Sequence, residues 1–349
     1  MSKKLLLVGS ASIHTYNFLL LVKSYFDEIV LATPTETDFT DDKICRKYVV
    51  NTSIRNPLRY FKAISQFRRI LQKERPDVIH VQQIVTYDLL LLKANSKMKI
   101  PVVSTAWGSD ILVNPQKSWI HAKMVRYCIE KSDYLTADAQ FIADEMKKIS
   151  PKIKGVTVAN FGIDVPDSIP ANKEMVIYSN RLHNKLYRID AVIRAFSRFL
   201  RSEKGLGWTL VIAAVGSETE KLKALAEELQ IQNSVQFVGW VDKGTNQQWY
   251  SKAKIWISLP ESDATAISML EAMSNGCIPV VSDLPANREW ITDGDNGMLI
   301  SDVESFDLAK VLSLDYSRLS SKNRELIEQR ATKEANREKY IQIYKKICL

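Results

Sequence analysis

The stretch from Ile255 to Ser282, IWISLPESDATAISMLEAMSNGCIPVVS, constrains the fold more than any other part of the chain. It contains two short apolar runs, Ile255–Leu259 and Ile278–Val281, that are rich in β-branched residues. Runs of this length are too short for helices and are typical of buried parallel strands. The stretch therefore predicts a strand–helix–strand unit of an open parallel sheet.

The helix of this unit is expected from about Thr265 to Asn275. Its apolar stripe consists of side chains that recur at helical spacing, namely Ala266, Met269, Leu270 and Met273. Asp263 or Thr265 is expected to cap the start of the helix, and Gly276 is expected to end it. The start then lies at the carboxyl edge of the sheet, where ligands of open α/β folds bind.

A helix N-terminus at that edge exposes amides that attract anions such as phosphate. Glu271 lies six residues beyond Thr265, and a rise of roughly 1.5 Å per residue places it about 9 Å along the helix. That distance is near the span from a sugar diphosphate to a ribose. A carboxylate there can accept hydrogen bonds from both ribose hydroxyls, each contributing roughly 1.5–3 kcal/mol. We therefore expect Thr265, Ala266 and Ile267 near the phosphates and Glu271 at the ribose.

Asp263 and Glu271 form an acidic pair, and AMSNGCIPVVSD follows the second acid. This pattern resembles the donor-site signature of retaining glycosyltransferases of family 4, which have the GT-B fold. The resemblance implies that Asp263, which stands where the family usually has Glu, lies near the hydroxyls of the donor sugar, and that Glu271 holds the ribose. The alternative from the residues alone is that Asp263 caps the helix and Glu271 is a solvated surface residue.

Short apolar runs alternate with helical patterns along the whole chain, which is typical of doubly wound parallel sheets. The strands predicted in the first half are Lys4–Val8, Glu28–Thr33, Val78–Gln82, Val102–Ala106, Tyr134–Ala137 and Gly155–Ala159. Those predicted in the second half are Met175–Ser179, Trp208–Val215, Val235–Val238, Ile255–Leu259, Ile278–Val281 and Met298–Ile300. Together with the resemblance, the pattern predicts an α/β protein of the GT-B fold, with two Rossmann-like doubly wound parallel-sheet domains facing a cleft.

Two prolines and several polar residues interrupt the pattern at Asp164–Lys173, which marks the predicted domain boundary. We expect an acceptor-binding domain at residues 1–165 and a nucleotide-sugar donor-binding domain at residues 166–325. The last helix, roughly Ser321–Ile347, is charged and amphipathic. Such a helix commonly crosses back in the resembling family, so residues 326–349 are expected to pack on the first domain.

The candidate cations for a diphosphate lie in the segment SNRLHNKLYRID. In the resembling family an Arg-Leu turn is followed by a lysine, and the two cations neutralise the donor diphosphate. Arg181 matches directly, and a guanidinium suits a bidentate grip on phosphate oxygens. Leu186 stands at the usual spacing of the lysine, so Lys185 is the expected second cation and Arg188 the alternative. A Lys185 that only faces solvent is the remaining possibility.

Two further segments, AAVGSETEKLKALAEEL and VQFVGWVD, also resemble the family. The resemblance places Gly216 and Ser217 beside the diphosphate or the base of the donor. It places Gly239 and Trp240 beside the base, through backbone groups.

The loop after the first strand, GSASIHTYN, has one glycine where a dinucleotide fingerprint needs several, so an NAD site is not expected. In the resembling family this loop faces the donor phosphates and the acceptor, which makes Ser10 and Ser12 candidates. His14 either contacts substrate or, as we favour, only begins a helix.

The segment PVVSTAWGSDIL puts Asp110 just past the end of a strand, and Trp107 stands where the family often carries a histidine. Asp110 either orients or deprotonates the acceptor hydroxyl or bonds its own loop backbone. His80 lies within an apolar strand and is expected to be a hydrogen-bonded core residue.

The net charge of +8 falls entirely in the first half, where residues 1–165 hold 24 Lys and Arg against 16 Asp and Glu. Residues 166–349 hold 24 of each. Residues 55–75 combine an apolar helical stripe with the basic side chains of Arg55, Arg59, Lys62, Arg68, Arg69, Lys73 and Arg75. Such a helix predicts contact with an anionic membrane surface, at about 1 kcal/mol per basic residue. A surface helix with solvated charges is the alternative.

The remaining composition is that of an ordinary globular protein. The cysteines show no spacing typical of metal or redox sites, and they are Cys45, Cys128, Cys277 and Cys348. The apolar run near the start is too short for a signal peptide, and no segment approaches the roughly 20 apolar residues of a membrane span. We expect a cytoplasmic protein that contacts the inner face of the cell membrane, and we predict neither a metal nor a cofactor.

The sequence thus predicts a retaining, metal-independent hexosyl- or N-acetylhexosaminyl-type glycosyltransferase. The donor is a nucleotide sugar, UDP-linked rather than GDP-linked, and the acceptor is a saccharide. The basic first half favours a lipid-linked acceptor, as in the synthesis of bacterial polysaccharide, lipopolysaccharide or capsule, and no nucleic acid is expected. The alternatives are a nucleotide-sugar epimerase of GT-B-like fold and a non-catalytic nucleotide-sugar-binding subunit. Front-face and double-displacement mechanisms are both open.

Overall fold

The computed structural model describes residues 3–53, 56–170 and 172–348. The chain divides into two compact units. The first unit comprises Met1–Gly162 and Lys333–Leu349, and the second comprises Ile163–Thr332. Each unit is built on its own parallel sheet, so the predicted α/β class with two doubly wound halves is confirmed.

The first unit alternates strands and helices. Its elements are β1 (Lys4–Val8), α1 (Ile13–Val22), β2 (Glu28–Thr33), β3 (Ile44–Val49), α2 (Pro57–Glu74), β4 (Val78–Gln82), α3 (Thr86–Asn95), β5 (Val102–Ala106), α4 (Ser109–Leu112), α5 (Asn114–Lys117), α6 (Trp119–Lys131), β6 (Tyr134–Ala137), α7 (Gln140–Ile149) and β7 (Thr157–Val158). The strand order among the described residues is β3-β2-β1-β4-β5-β6-β7, with every pair parallel.

The second unit repeats the scheme. Its elements are β8 (Glu174–Ser179), α8 (Ile189–Leu200), β9 (Thr209–Ala213), α9 (Thr219–Glu228), β10 (Val235–Gly239), α10 (Lys243–Lys252), β11 (Ala253–Ser258), α11 (Ile267–Ser274), β12 (Ile278–Ser282), α12 (Pro285–Arg288), β13 (Met298–Ile300) and α13 (Tyr316–Arg330). The described strands are ordered β10-β9-β8-β11-β12-β13. The chain therefore changes direction between β8 and β11, and the carboxyl ends of these neighbouring strands form the switch point where such sheets bind ligands.

The final helix, α14 (Lys333–Ile347), belongs to the first unit. Tyr340, Ile343 and Tyr344 lie in the same buried apolar cluster as residues of β1 and α1. The Tyr340 hydroxyl donates to the carbonyl oxygen of Ala159 at 2.7 Å. The Tyr344 hydroxyl lies 2.6 Å from Nδ1 of His80. Helix α14 is thus part of the core of the first unit.

His80 lies inside β4 and is fully buried. Its Nε2 atom is 2.6 Å from Oγ1 of Thr105, and burial lowers the pKa of the imidazole to about 3. The ring is therefore neutral and bonded on both nitrogens, as expected for a core histidine.

Several element boundaries differ from the sequence predictions. Strand β3 was not predicted, the strand expected at Gly155–Ala159 is limited to Thr157–Val158, and the expected single last helix is two helices, α13 and α14. The two units meet in sequence at Gly162 and Ile163, just before the predicted linker Asp164–Lys173. Of that linker, Ala171 lies outside the described residues.

Candidate active site

Helix α11 begins at the switch point of the second sheet, one residue after Ala266. The N-cap residue is Ala266, whose side chain cannot cap the helix, so the prediction of Asp263 or Thr265 as the N-cap residue is wrong. Asp263 instead bonds Arg181, and the Thr265 hydroxyl lies 3.4 Å from the indole nitrogen of Trp290. Ala266 and Ile267 therefore begin a helix without a side-chain cap at the carboxyl edge of the sheet, which is favourable for an anion.

The end of α11 agrees with the prediction. Asn275 is the C-cap, and Gly276 follows with φ +77, a conformation that suits glycine. A Cβ at this position would lie 2.6 Å from Cγ2 of Ile169, so space and backbone conformation both select glycine.

Arg181 follows β8 and extends to the start of α11. Its Nη2 atom donates to Oδ2 of Asp263 at 2.6 Å, and Nη1 donates to Oγ of Ser268 at 3.0 Å. The guanidinium carbon lies 4.4 Å from the centre of the Tyr187 ring. The cation expected at a diphosphate is thus held in place beside the first turn of α11.

The Asp263 carboxylate is mostly buried beside this cation. Burial raises the pKa of Asp263, and the Arg181 guanidinium and the amide of Ala264 offset part of that rise. The ion pair therefore offsets part of the cost of burying the Asp263 carboxylate. Asp263 orients Arg181 in this structure, and its predicted role at the sugar hydroxyls stays a prediction.

Glu271 lies on the same helix, just after the first turn. The Tyr250 hydroxyl on α10 donates to Oε2 of Glu271 at 3.0 Å. Tyr250 is fully buried, and Asn180 follows β8 immediately before Arg181. Neither residue was predicted from the sequence. The position of Asn180 at a strand end next to a candidate cation was a usable signal, whereas Tyr250 gave none.

The two candidate second cations have different environments. Lys185 is exposed in the short 3-10 turn Lys185–Tyr187. Arg188 donates to the carbonyl oxygens of Leu259 and Pro260, both at 2.7 Å. These bonds join the start of α8 to the residues that follow β11. The geometry therefore favours Lys185 for a ligand and gives Arg188 a structural role.

The segments after β9 and β10 lie on the same side of the sheet. A Cβ at Gly216 would overlap the carbonyl of His183, so glycine permits the close approach of the two loops. Ser217 is exposed beside it. Gly239 has φ +71, its carbonyl oxygen accepts from Ala214, and the Trp240 side chain that follows is exposed. All four predicted residues are at strand ends, and no contact tests their predicted roles.

In the first unit, Asp110 is fully buried. Its carboxylate accepts from the amides of Ile84 at 2.8 Å and Trp107 at 3.1 Å. Burial raises the pKa of Asp110 to about 6, and these amides limit the rise. Of the two predicted roles, the structure supports loop bonding. Ser10 and Ser12 bond each other through their hydroxyls at 2.8 Å in the loop after β1.

An aromatic cluster lies beside that loop. The ring of His14 is 5.2 Å from that of Trp107, in an edge contact, and 5.8 Å from that of Phe161, in a stacked contact. The indole nitrogen of Trp107 donates to Oε1 of Gln82 at 3.0 Å. Trp107, His14 and Phe161 therefore form one fixed aromatic surface at the carboxyl edge of the first sheet. The sequence analysis missed Phe161.

Helix α2 carries the predicted basic surface, although Arg55 lies outside the described residues. Leu58 is 79% exposed and Phe61 is 65% exposed, whereas Phe67 and Leu71 are buried against the unit. The remaining basic side chains are exposed, namely Arg59, Lys62, Arg68, Arg69, Lys73 and Arg75. Only the second half of the predicted apolar stripe is therefore used by the core.

Two features are absent from residues 3–53, 56–170 and 172–348. No helix in these ranges is long and apolar enough to cross a membrane. No group of three or more His, Cys, Asp or Glu side chains lies close enough together to hold a metal ion.

Two doubly wound units, the second with a cation and an acid at an open helix start, are the arrangement of the GT-B fold. Residues 163–334 match the family described as Glycosyl transferases group 1, and residues 3–139 match the family described as Glycosyl transferase 4-like. The second unit therefore carries a group 1 glycosyl transferase domain, and the first carries a glycosyl transferase 4-like domain.

Similar curated proteins include the alpha-monoglucosyldiacylglycerol synthase of Streptococcus pneumoniae, 23% identical over 260 residues. That match covers 67% of this chain and 58% of the relative. The lipopolysaccharide 1,6-galactosyltransferase of Escherichia coli is 26% identical over 232 residues, which cover 64% of this chain and 61% of the relative. The chain thus spans about three fifths of the length of these curated relatives.

A solved structure with the same fold is that of HepE from Anabaena, in complex with UDP. It superimposes with a TM-score of 0.83 at 15% identity and covers 99% of this chain and 100% of its own. This likeness shows the shared fold.

Proposed function

We propose that the protein is a retaining glycosyltransferase that transfers a hexosyl-type sugar from a UDP-linked donor to a saccharide acceptor. One observation carries the proposal: Arg181, the uncapped start of α11 and Glu271 are aligned at the switch point of the second sheet. In a nucleotide sugar bound along this line, the cation and the amides would face the diphosphate, and the acid would face the ribose.

The chemistry proposed for this edge is electrostatic. Negative charge develops on the diphosphate as the bond to the sugar breaks, and preorganised cations and amides stabilise it. Arg181 is already fixed by Asp263 and Ser268, so little reorganisation is needed when the donor binds. The exposed Lys185 supplies the second positive charge. We propose that these groups act without a divalent metal.

The choice of donor is supported by relatives. HepE has also been solved in complex with UDP-glucose. The two curated relatives named above are, by name, a glucosyl- and a galactosyl-transferring enzyme. A UDP-hexose is therefore the first donor to test.

We propose a lipid-linked acceptor at the first unit, in the synthesis of a bacterial surface glycan at the inner face of the cell membrane. The first unit holds 29 Lys and Arg against 17 Asp and Glu, and the second holds 19 against 23. A positive unit with exposed Leu58 and Phe61 is suited to an anionic bilayer. The aromatic surface of His14, Trp107 and Phe161 offers ring faces against which the acceptor sugar can pack.

The experiment is a transfer assay with the full chain, UDP-glucose and UDP-galactose, and a polyprenyl-diphosphate saccharide. We expect a glycosylated lipid whose new bond keeps the anomeric configuration of the donor, as measured by NMR. Transfer only to a free small sugar would overturn the lipid-linked acceptor. Release of an epimerised nucleotide sugar without acceptor would overturn the transferase itself.

A further inference from the structure

A buried chain of hydrogen bonds ends on Glu271. The indole nitrogen of Trp256 donates to Oδ1 of Asn180 at 2.9 Å. Nδ2 of Asn180 lies 2.7 Å from the Tyr250 hydroxyl, which lies 3.0 Å from Oε2 of Glu271. Trp256 and Tyr250 are almost completely buried. These hydrogen bonds thus join β11, the end of β8, α10 and α11.

The chemistry of the side chains fixes the direction of every bond in this chain. An indole N–H can only donate, so the side-chain oxygen of Asn180 must face Trp256 and its amide nitrogen must face Tyr250. The amide nitrogen then donates to the Tyr250 oxygen, and the Tyr250 proton is directed at Glu271. The second acceptor of the Asn180 amide, Oδ1 of Asn246 at 3.0 Å, agrees with the same orientation.

The Tyr250 hydroxyl keeps its proton under all ordinary conditions. Burial raises the pKa of Tyr250 well above its usual value, and the charge of Glu271 adds to the rise. A permanent donor with a fixed direction holds Oε2 of the Glu271 carboxylate and so restricts the rotation of that group.

We propose that Tyr250 is a positioning residue that holds the Glu271 carboxylate in the orientation needed to accept both hydroxyls of a nucleotide ribose. The inference rests on the proposed function in that Glu271 is taken as the ribose ligand. A carboxylate that already has one fixed donor loses less rotational freedom when it binds two more. The preference for a ribose over a deoxyribose then depends on all the hydrogen bonds from Trp256 to Glu271, not on Glu271 alone.

The experiment measures the binding of UDP and of 2′-deoxy-UDP to the full chain by calorimetry. The wild-type protein should prefer UDP. Tyr250→Phe should weaken UDP by about tenfold, the loss of one hydrogen bond to a charged group. It should weaken the binding of 2′-deoxy-UDP less than twofold, so that the preference for UDP over 2′-deoxy-UDP falls. In turnover the variant should show a raised KM for the donor with kcat little changed.

Tyr178→Phe is the matched control. Its hydroxyl bonds Oδ1 of Asn246 at 2.5 Å in the same network but does not contact Glu271. It should keep the wild-type preference, and Asn180→Ala, which removes the donor to Tyr250, should lower it. If Tyr250→Phe folds poorly, the Asn180→Ala result alone decides.

An unchanged ratio of UDP to 2′-deoxy-UDP affinity in Tyr250→Phe or Asn180→Ala would overturn this inference alone. A wild-type protein that binds neither nucleotide would overturn the proposed function, and this inference with it.

Discussion

Arg181 and Asp263 lie 82 positions apart in the chain and form an ion pair of 2.6 Å at the carboxyl edge of the second sheet. The pair joins the loop after β8 to the loop that leads into α11. The other terminal nitrogen of the guanidinium, Nη1, donates to Ser268 in the first turn of α11. The cation proposed for the diphosphate is therefore oriented by one of the two acids of the signature.

Arg181→Ala should lower kcat by about 10²–10³-fold, because a preorganised charge at the leaving group is lost. Arg181→Lys should recover only part of the activity, since an ammonium does not span Asp263 and Ser268 as a planar fork does. Steady-state kinetics with the donor and acceptor of the transfer assay measure both. Equal kcat in wild type and Arg181→Ala would contradict the assignment.

The same variant has a stability signature that depends on pH. Without Arg181 the buried Asp263 carboxylate loses its partner, and its pKa, already raised by burial, rises further. When the folded-state pKa of an acid lies above the unfolded value, stability falls as the pH rises from the unfolded-state pKa to the folded-state pKa and stays lower above it. Arg181→Ala should therefore lose more stability at pH 8 than at pH 5 in urea unfolding.

Lys185 and Arg188 should respond in opposite ways. Lys185→Ala should leave the melting temperature within a degree or so of wild type, because the side chain is exposed, yet lower kcat by about 10²-fold or more. Arg188→Ala should cost about 2–3 kcal/mol of stability, because the carbonyl oxygens of Leu259 and Pro260 lose their charged donor. Thermal unfolding and kinetics on both variants check the pair. A stable Arg188→Ala protein with a selective loss of kcat would reverse the assignment.

Asp88 should give the first unit a pH-dependent stability. It is fully buried in α3, accepts from the Ser104 hydroxyl at 3.2 Å, and has its pKa raised to about 7 by burial. The folded state then holds a proton that the unfolded state releases near its ordinary value of 3.8. This group therefore lowers stability as the pH rises from 4 to 7, by up to about 1.4 kcal/mol per pH unit. Asp88→Asn should be more stable relative to wild type at pH 8 than at pH 5, and a constant difference would contradict this.

The exposed start of α2 should bind anionic membranes. Vesicles containing phosphatidylglycerol should sediment the protein at low salt, and added salt should weaken the binding. A double variant with Leu58→Ser and Phe61→Ser should bind at least about tenfold more weakly, because two apolar side chains no longer enter the interface. Leu206→Ser is the control, since Leu206 is 70% exposed but lies in the second unit. Sedimentation no greater than with neutral vesicles would refute the membrane contact.

The strands could be predicted because most of them are continuous apolar runs in buried positions. Strand β3 could not, because only the ends of ICRKYV are apolar and most of its side chains are exposed at the sheet edge. Its strand geometry comes from pairing with β2, which no local pattern encodes. The break between α13 and α14 at Ala331 and Thr332 likewise has no glycine or proline to mark it.

The candidate site was predictable where a residue's position in an element decides its role. The positions of Glu271 within α11 and of Gly276 just after it follow from the helical pattern, and the role of Glu271 stays a prediction. The partner of Asp263 could not be predicted in this way. A polar residue before a helix suggests a cap, whereas the Asp263 carboxylate bonds an arginine that is distant in sequence. The contacts of Asp110 and Arg188 could not be predicted for the same reason: backbone amides bond the first and backbone carbonyl oxygens bond the second, and sequence spacing shows neither.

Helix α14 lies after the entire second unit in the chain, yet it supplies Tyr340, Ile343 and Tyr344 to the core of the first unit. A ribosome therefore delivers all of Ile163–Thr332 before the first sheet can acquire its last covering helix. During synthesis the second unit is able to fold as an uninterrupted segment. Until α14 is synthesised, the first unit keeps an apolar face uncovered. The first unit is accordingly the part of the nascent chain that exposes apolar core surface the longest.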